Sequence, residues 1–269
     1  MKKLIPKLWR RAYNGYSRLR QTPGAMSAAL ATVPMNSKLK LLSLYSFGVS
    51  ADAVEIQAND VPGPLTLRYG TSDLPVFEQV FIEQQYRFPQ LENVEYVIDA
   101  GANIGLAAAY LLAKHPKAKL IAIEPDAENF AVAKRNLQQF GSRCRLVHGA
   151  VWPTDRELSV QRHDMGHWAT QVSEEVGSET VRGFTIEKLM SDFDFPRIDF
   201  LKVDIEGAEL QLFGDGCTDF MQKTQCCAVE CHGPESESAF RSVCDPRRFE
   251  IFEQCELLVA NRIAAESTR

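Results

Sequence analysis

From Val94 onward the chain alternates between short apolar runs rich in β-formers and stretches with helical patterning, and this alternation limits the fold more than any other feature. The apolar runs are Val94–Ala100, Leu120–Ile123, Leu146–Val151, Ile198–Val203 and Cys226–Val229. Helical patterning at Leu106–His115, Ala127–Phe140 and Ala208–Phe213 separates most of them. A strand apolar on both sides is covered on both sides, and a parallel neighbour needs a crossover long enough to hold a helix. The expected fold class is therefore α/β, a doubly wound, mostly parallel sheet with helices on both faces. Arg248–Phe252 and Glu256–Ala260 predict two more strands near the end. Between Asp155 and Leu189 the rhythm changes, and Leu158–Arg162 and Thr180–Thr185 predict extra strands around a polar loop.

Upstream the pattern is less regular. Residues 1–50 read as a basic, helical N-terminal extension, 51–89 as strand, turn, strand and a capping helix, and 90–269 as the main domain. Residues 1–20 hold Lys2, Lys3, Lys7, Arg10, Arg11, Arg18 and Arg20 without one acid, although the whole chain carries −5. Leu4, Leu8, Ala12, Tyr16 and Leu19 recur there at helical spacing. Two readings stay open: an amphipathic helix making weak contact with an anionic membrane surface, or a solvated arm or self-packed helix. Ala28–Val33 and Leu39–Tyr45 read as helices separated by Pro34. Ala53–Ile56 and Leu65–Arg68 flank a Pro-Gly turn, and Asp73 is expected to cap a helix from Leu74.

Composition excludes several classes. With 269 residues, 45% of them hydrophobic, the chain can bury a core without disulfides. No run approaches the ~20 apolar residues of a membrane span. The net charge of −5 opposes general nucleic-acid binding. Six of the seven cysteines (Cys217, Cys226, Cys227, Cys231, Cys244 and Cys255) crowd the last quarter, and the basic N-terminus interrupts any apolar leader segment. Reduced thiols in a cytoplasmic protein are the expectation, with peripheral contact at the inner membrane face through residues 1–20 as its variant.

The segment Val97-Ile-Asp99-Ala-Gly101-Ala-Asn103-Ile-Gly105 sits where a buried strand turns into a helix. Gly101 permits a tight turn, and Gly105 lets the helix start close against the strand. Glu124 closes the next strand, about 20 residues beyond the glycines, where an acid accepts hydrogen bonds from ribose hydroxyls. Asp126 follows as a helix cap and as a further candidate at the same site. Asn103 stands where a dinucleotide fingerprint has its middle glycine, which leaves no seat for a pyrophosphate. Asp99 would repel a diphosphate and suit a cationic ligand. S-adenosylmethionine has ribose, an amino acid group and a sulfonium, and no phosphate, so it fits.

Asp204 and Glu206 follow the strand Ile198–Val203, and Glu230-Cys231-His232 ends the next one. In open α/β sheets ligands bind beyond the carboxyl ends of strands. Crowded carboxylates beside an imidazole are where a general base is expected. Glu206 reads equally as a helix-start residue, and His232 as a loop histidine. Asp204, Glu206, Glu230 and His232 also resemble an oxygen-rich ligand set, but no tight motif supports it, and no metal is expected. Cys226, Cys227 and Cys231 form no C-x-x-C pair and read as inert thiols.

Asp99-Ala-Gly-Ala-Asn-Ile-Gly105, Glu124-Pro-Asp126 with Asn129-Phe130, and Leu201-Lys-Val-Asp-Ile-Glu-Gly-Ala-Glu209 together resemble the FkbM-type family of S-adenosylmethionine-dependent methyltransferases. Gly70-Thr-Ser-Asp73 and Glu230-x-His232 extend the resemblance over about residues 66–233. It implies a class I, Rossmann-like sheet of seven strands with the last strand antiparallel, making 90–269 a methyltransferase domain. It also implies methylation of a hydroxyl oxygen on a small molecule such as a sugar, glycan or polyketide. The cofactor positions it implies are Asp99, Gly101, Asn103, Gly105 and Glu124, and the acidic cluster itself offers Asp204, His232 and Glu230 as the catalytic candidates. The chain departs from the family pattern at Lys188 and Gly233. A nicotinamide-dependent oxidoreductase and a non-catalytic cofactor-binding module are the competing readings. Acceptor choice is expected to lie in the N-terminal extension and the Asp155–Leu189 insertion, which carries His163, His167 and Trp168, with Trp152 just before it.

Overall fold

The strands that the alternation predicts assemble in one seven-stranded sheet. In this computed structural model residues 27, 30–44, 52–88, 90–162, 170–174, 179–214 and 219–263 are described. The chain divides into two units, Met1–Tyr86 and Arg87–Arg269. The sheet lies in the second, with β3 Tyr96–Ala100, β4 Lys119–Glu124, β5 Cys144–His148, β10 Ile198–Val203, β11 Thr224–Glu230, β12 Phe249–Gln254 and β13 Leu257–Arg262. Pairing is parallel from β11 through β10, β3 and β4 to β5. β13 pairs antiparallel with both β11 and β12, so it alone runs against the rest.

From β3 the chain builds outward through β4 and β5, then returns to place β10 and β11 on the other side. Right-handed crossovers in opposite directions put their helices on opposite faces of the sheet. The helices Leu106–Lys114 and Ala127–Leu137 pack together, as do Glu209–Gly214 and Pro234–Val243. Every residue from Leu106 to Leu112 is buried, as a helix apolar all round requires. Ile98, Ile121, Leu201, Val203, Phe213 and Phe240 belong to one continuous core. The order reverses between β3 and β10, where Ala100 lies in register with Val203.

The expected run Leu146–Val151 divides in two. β5 ends at His148, and Ala150–Val151 forms β6 of a second sheet ordered β6-β9-β7-β8. The chain changes sheet at Gly149, where a Cβ would lie 2.6 Å from the Phe184 ring and 2.8 Å from the Arg182 carbonyl oxygen. The extra strands expected from the Asp155–Leu189 rhythm are β7 Glu157–Arg162 and β9 Thr180–Phe184, and β8 Thr170–Ser173 joins them. Trp152, Leu158, Val160 and Val181 pack between these strands.

In the first unit β1 Ala53–Ile56 and β2 Leu65–Arg68 form the expected antiparallel hairpin. The helix Met35–Leu44 starts directly after Pro34, ahead of the expected Leu39. Asp73 does not cap its helix: it lies in the first turn of Asp73–Phe77, and Ser72 occupies the cap position. Its carboxylate accepts from the Arg68 backbone N–H at 2.8 Å and from the Arg68 guanidinium at 2.9 Å. A buried acid so close to an arginine makes that pair rather than a cap. Residues 1–20 lie outside the described residues.

None of the described cysteines forms a disulfide, and burial pushes the Cys226 thiol up to about 12, so it is inert at neutral pH. Among the described residues, no helix is long and apolar enough to cross a membrane.

Candidate active site

The turn after β3 is held by its own backbone. The N–H groups of Gly101 and Ala102 both donate to the Ile123 carbonyl, at 3.1 and 2.9 Å. Gly101 has φ +79°, and a Cβ there would lie 1.7 Å from the Asp204 carbonyl oxygen. Only glycine lets the ends of β3 and β10 come this close. Asn103 adopts φ +51°, and its Oδ1 accepts from the Ile104 N–H at 2.8 Å. Asparagine tolerates this left-handed geometry because its side chain bonds locally.

Glu124 closes the wall opposite the turn. One carboxylate oxygen accepts from the Asn103 N–H at 2.7 Å, and the other from the Asp126 N–H at 2.9 Å. Burial pushes this carboxyl up to about 7, against the pull of those two N–H donors. Two anchored oxygens, each with capacity for a second donor, suit a pair of neighbouring hydroxyls. Asp126 caps the next helix, accepting from the N–H groups of Glu128 and Asn129.

Asp99 differs from expectation. It lies in register with Lys202 across the β3–β10 ladder, and Lys202 Nζ sits 3.0 Å from its carboxylate. The cation that Asp99 holds is thus the chain's own. The same ammonium donates to the Gly101 carbonyl at 2.6 Å and lies 3.7 Å from Asp204. Burial raises the Asp99 pKa and Lys202 opposes it.

Beyond β10 the acids converge. Glu209 is completely buried and accepts from the N–H groups of Ile205 and Gly207, at 3.2 and 3.1 Å. His232 Nδ1 lies 2.9 Å from the same carboxylate, and its Nε2 lies 3.5 Å from Glu206. Asp204, Glu230 and His232 bring one donor atom each within 4.8 Å of one another. Burial and the neighbouring Asp204 push Glu206 up to about 8 and Glu230 well above its usual range. Burial works against charge on His232, yet Glu209, Asp204 and Glu206 raise it to about 10.

A cleft of about 520 Å³ opens at this point of order reversal. Of the expected cofactor residues, Gly101, Asn103 and Glu124 line it, as does Asp204 from the catalytic set. Gly105 stands behind the wall, where a Cβ would meet Leu137 at 3.0 Å. Asp99 and Asp126 also stand behind it, each fully buried. Glu230 and His232 meet Asp204 beside the cleft. Trp152 is buried, and its Nε1 donates to Glu174 at 3.3 Å, a packing role. His163, His167 and Trp168 lie outside the described residues. Sequence reasoning missed Lys202 and Glu209. A lysine inside an apolar strand was a signal for the first, since buried lysines are almost always paired.

Residues 99–255 match the family model of the methyltransferase FkbM domain. Methyltransferase 1 of Beauveria bassiana is 23% identical over 164 residues, which cover 51% of this chain and 64% of that protein. Hexuronic acid methyltransferase AglP of Haloferax volcanii is 24% identical over 143 residues, covering 53% of this chain and 58% of that protein. The chain therefore spans less than two thirds of the length of either relative. A solved structure, methyltransferase FkbM from Methylobacillus flagellatus, aligns with a TM-score of 0.46 at 16% identity, over 65% of this chain and 44% of that one.

Proposed function

Because the chain belongs to the FkbM methyltransferase family, we propose that it transfers a methyl group from S-adenosylmethionine to a hydroxyl oxygen of a small, sugar-like molecule. The observation that carries this reading is the lining of the cleft: Glu124, Asp204 and Glu206 contribute three acidic side chains, and among the described lining residues there is no lysine or arginine. A wall of acids without a basic side chain offers the diphosphate of a nicotinamide dinucleotide no counter-charge, which disfavours the oxidoreductase alternative. Glu124 would hold the ribose hydroxyls, and Ile123, Val151 and Val172 offer apolar surface for the adenine. When bound, S-adenosylmethionine supplies a methyl group made electrophilic by its sulfonium. The chain's own work is to orient the acceptor hydroxyl at Asp204 and to exclude water around it. The hexuronic acid methyltransferase among the relatives supports a sugar acceptor.

Two measurements test the reading. Calorimetry with S-adenosylhomocysteine should give one site per chain, and Glu124→Gln should weaken it by ~10–100-fold, the range for hydrogen bonds to a charged group. The ionised carboxylate is the form that accepts two hydroxyl donors. Since its folded pKa is raised to about 7, affinity should tighten as pH rises through that value and level off above it. The same shift makes the ligand-free fold lose the Glu124 contribution to stability as pH rises from about 4.5 through about 7. Glu124→Gln should abolish both slopes. Absence of heat at any pH would sink the cofactor assignment.

The second measurement addresses the acceptor side. Asp204→Asn should lower turnover of a hexuronic acid or related sugar by ~10²–10⁴-fold, the usual contribution of a group acting on the transferred proton. S-adenosylhomocysteine affinity should stay within a few-fold of wild type. Unchanged turnover would remove Asp204 from the chemistry.

A further inference from the structure

We propose that Asp204, Glu230 and His232 bind a divalent first-row metal ion, with Glu209 as the carboxylate that orients the imidazole. The three ligands come from two strand ends that are neighbours only in the folded sheet, β10 and β11. Spacing along the chain therefore carries no metal motif, which is why none was expected.

The independent observation is at His232. Its imidazole is only 9% exposed, and Nε2 is buried without a hydrogen-bond partner. The other ring nitrogen faces Glu209, whose oxygens already accept backbone N–H groups from Ile205 and Gly207. Nδ1 must then be the donor of that pair, which leaves Nε2 as the ring atom able to ligate, its lone pair presented once its proton gives way to a metal ion. That lone pair points among acceptors: Glu206 lies 3.5 Å away, and Asp204 and Glu230 offer oxygens in the same group. Acceptors crowded out of water need a cation between them, a proton on the ring or a metal ion in its place. A carboxylate that fixes one ring nitrogen so that the other meets a metal is the usual supporting arrangement for a ligating histidine.

Charge points the same way. Lys202 lies 3.7 Å from Asp204 and is already held by Asp99 and the Gly101 carbonyl. Bonds of ~2.1 Å allow ligand atoms to lie up to ~4.2 Å apart across one ion. Small side-chain rotations close the 4.8 Å group onto it. Two carboxylates with one imidazole suit Mn²⁺, Fe²⁺ or Zn²⁺ better than Mg²⁺ or Ca²⁺, which prefer oxygen alone. Three protein ligands also leave positions open. Resting on the methyltransferase reading, those positions would take the acceptor hydroxyl and an adjacent oxygen. The acceptor class then narrows to chelating molecules such as vicinal diols and hydroxy acids.

The test titrates Mn²⁺ into the full chain after chelator treatment, following the free-ion electron paramagnetic resonance signal. One Mn²⁺ should bind per chain, and Zn²⁺ should displace it at lower concentration than Mg²⁺ does. Asp204→Asn and Glu230→Gln should each weaken binding at least tenfold. Glu209→Gln should weaken it by ~10–100-fold, as loss of a supporting carboxylate does. Circular dichroism checks that each variant is folded, and two carboxylate ligands are tested so that one unfolded variant leaves the other decisive. No Mn²⁺ binding at millimolar concentration, binding unaffected in the folded ligand variants, or equal displacement by Mg²⁺ would overturn the proposal. Calorimetry with S-adenosylhomocysteine on the same sample separates the two ideas. Cofactor product binding without Mn²⁺ binding overturns the ion site alone, and the reverse overturns the methyltransferase reading while supporting the ion.

Discussion

Alanine at Gly101 should cost more than about 4 kcal/mol and leave little native protein at ambient temperature, a loss confined to substitutions with a specific steric cause. The added Cβ would sit 1.7 Å from the Asp204 carbonyl oxygen, which belongs to backbone and cannot rotate away. Relief requires the ends of β3 and β10 to separate, and with them the hydrogen bond from Asp204 N–H to the Ala100 carbonyl at 3.0 Å. The left-handed φ of +79° adds a further ~1–2 kcal/mol. Gly141→Ala is the control: φ is +55° and ψ −129° there, nothing lies within 4 Å, and only the conformational cost of ~1–3 kcal/mol remains. Thermal melts of the two variants should differ widely, and similar melting temperatures would refute the steric account.

The other large effect is expected at Lys202. Replacing it by Met retains much of the volume and removes the cation 3.0 Å from Asp99, which is fully buried. Breaking a buried pair by deleting one partner costs ~3–5 kcal/mol, because the remaining charge has no compensation. The Gly101 carbonyl loses its 2.6 Å donor in the same step. Adding Asp99→Asn to Lys202→Met should recover a good part of the loss, since the stranded charge goes with it. Urea unfolding of the single and double variants measures this directly. A double variant no more stable than Lys202→Met would show that the cost comes from packing and the lost carbonyl bond.

Much of the sheet was legible because burial on both faces leaves a direct mark on composition. Ile198–Val203 reads as a strand from its side chains alone, and its bounds agree with the fold. The glycine turn was legible for a related reason, since Gly101 and Gly105 both occupy left-handed backbone. What the sequence concealed depends on contacts between distant positions. Asp99 and Lys202 lie on different strands and become partners only through the register of β3 with β10. An isolated acid before a glycine turn therefore reads as facing a ligand. Glu209 looks like an ordinary acid in a first helical turn, and its role emerges only when β11 brings His232 to it. Asp73 misled for the opposite reason: a local capping rule was outweighed by an arginine five residues upstream. The apolar run through Val151 carried no sign of a break other than Gly149, and an isolated glycine in a strand more often marks a bulge.

That change of direction at Gly149 has a consequence for the cleft. Val151 and Val172 bring the small sheet to the rim of the cleft, while Glu124 ends a strand of the large one and Gly101 follows another. The hinge therefore divides the binding surface into two parts. Substitutions in the accessory strands would reshape one rim of the cleft and leave the turn at Gly101 and its partner Glu124 as they are.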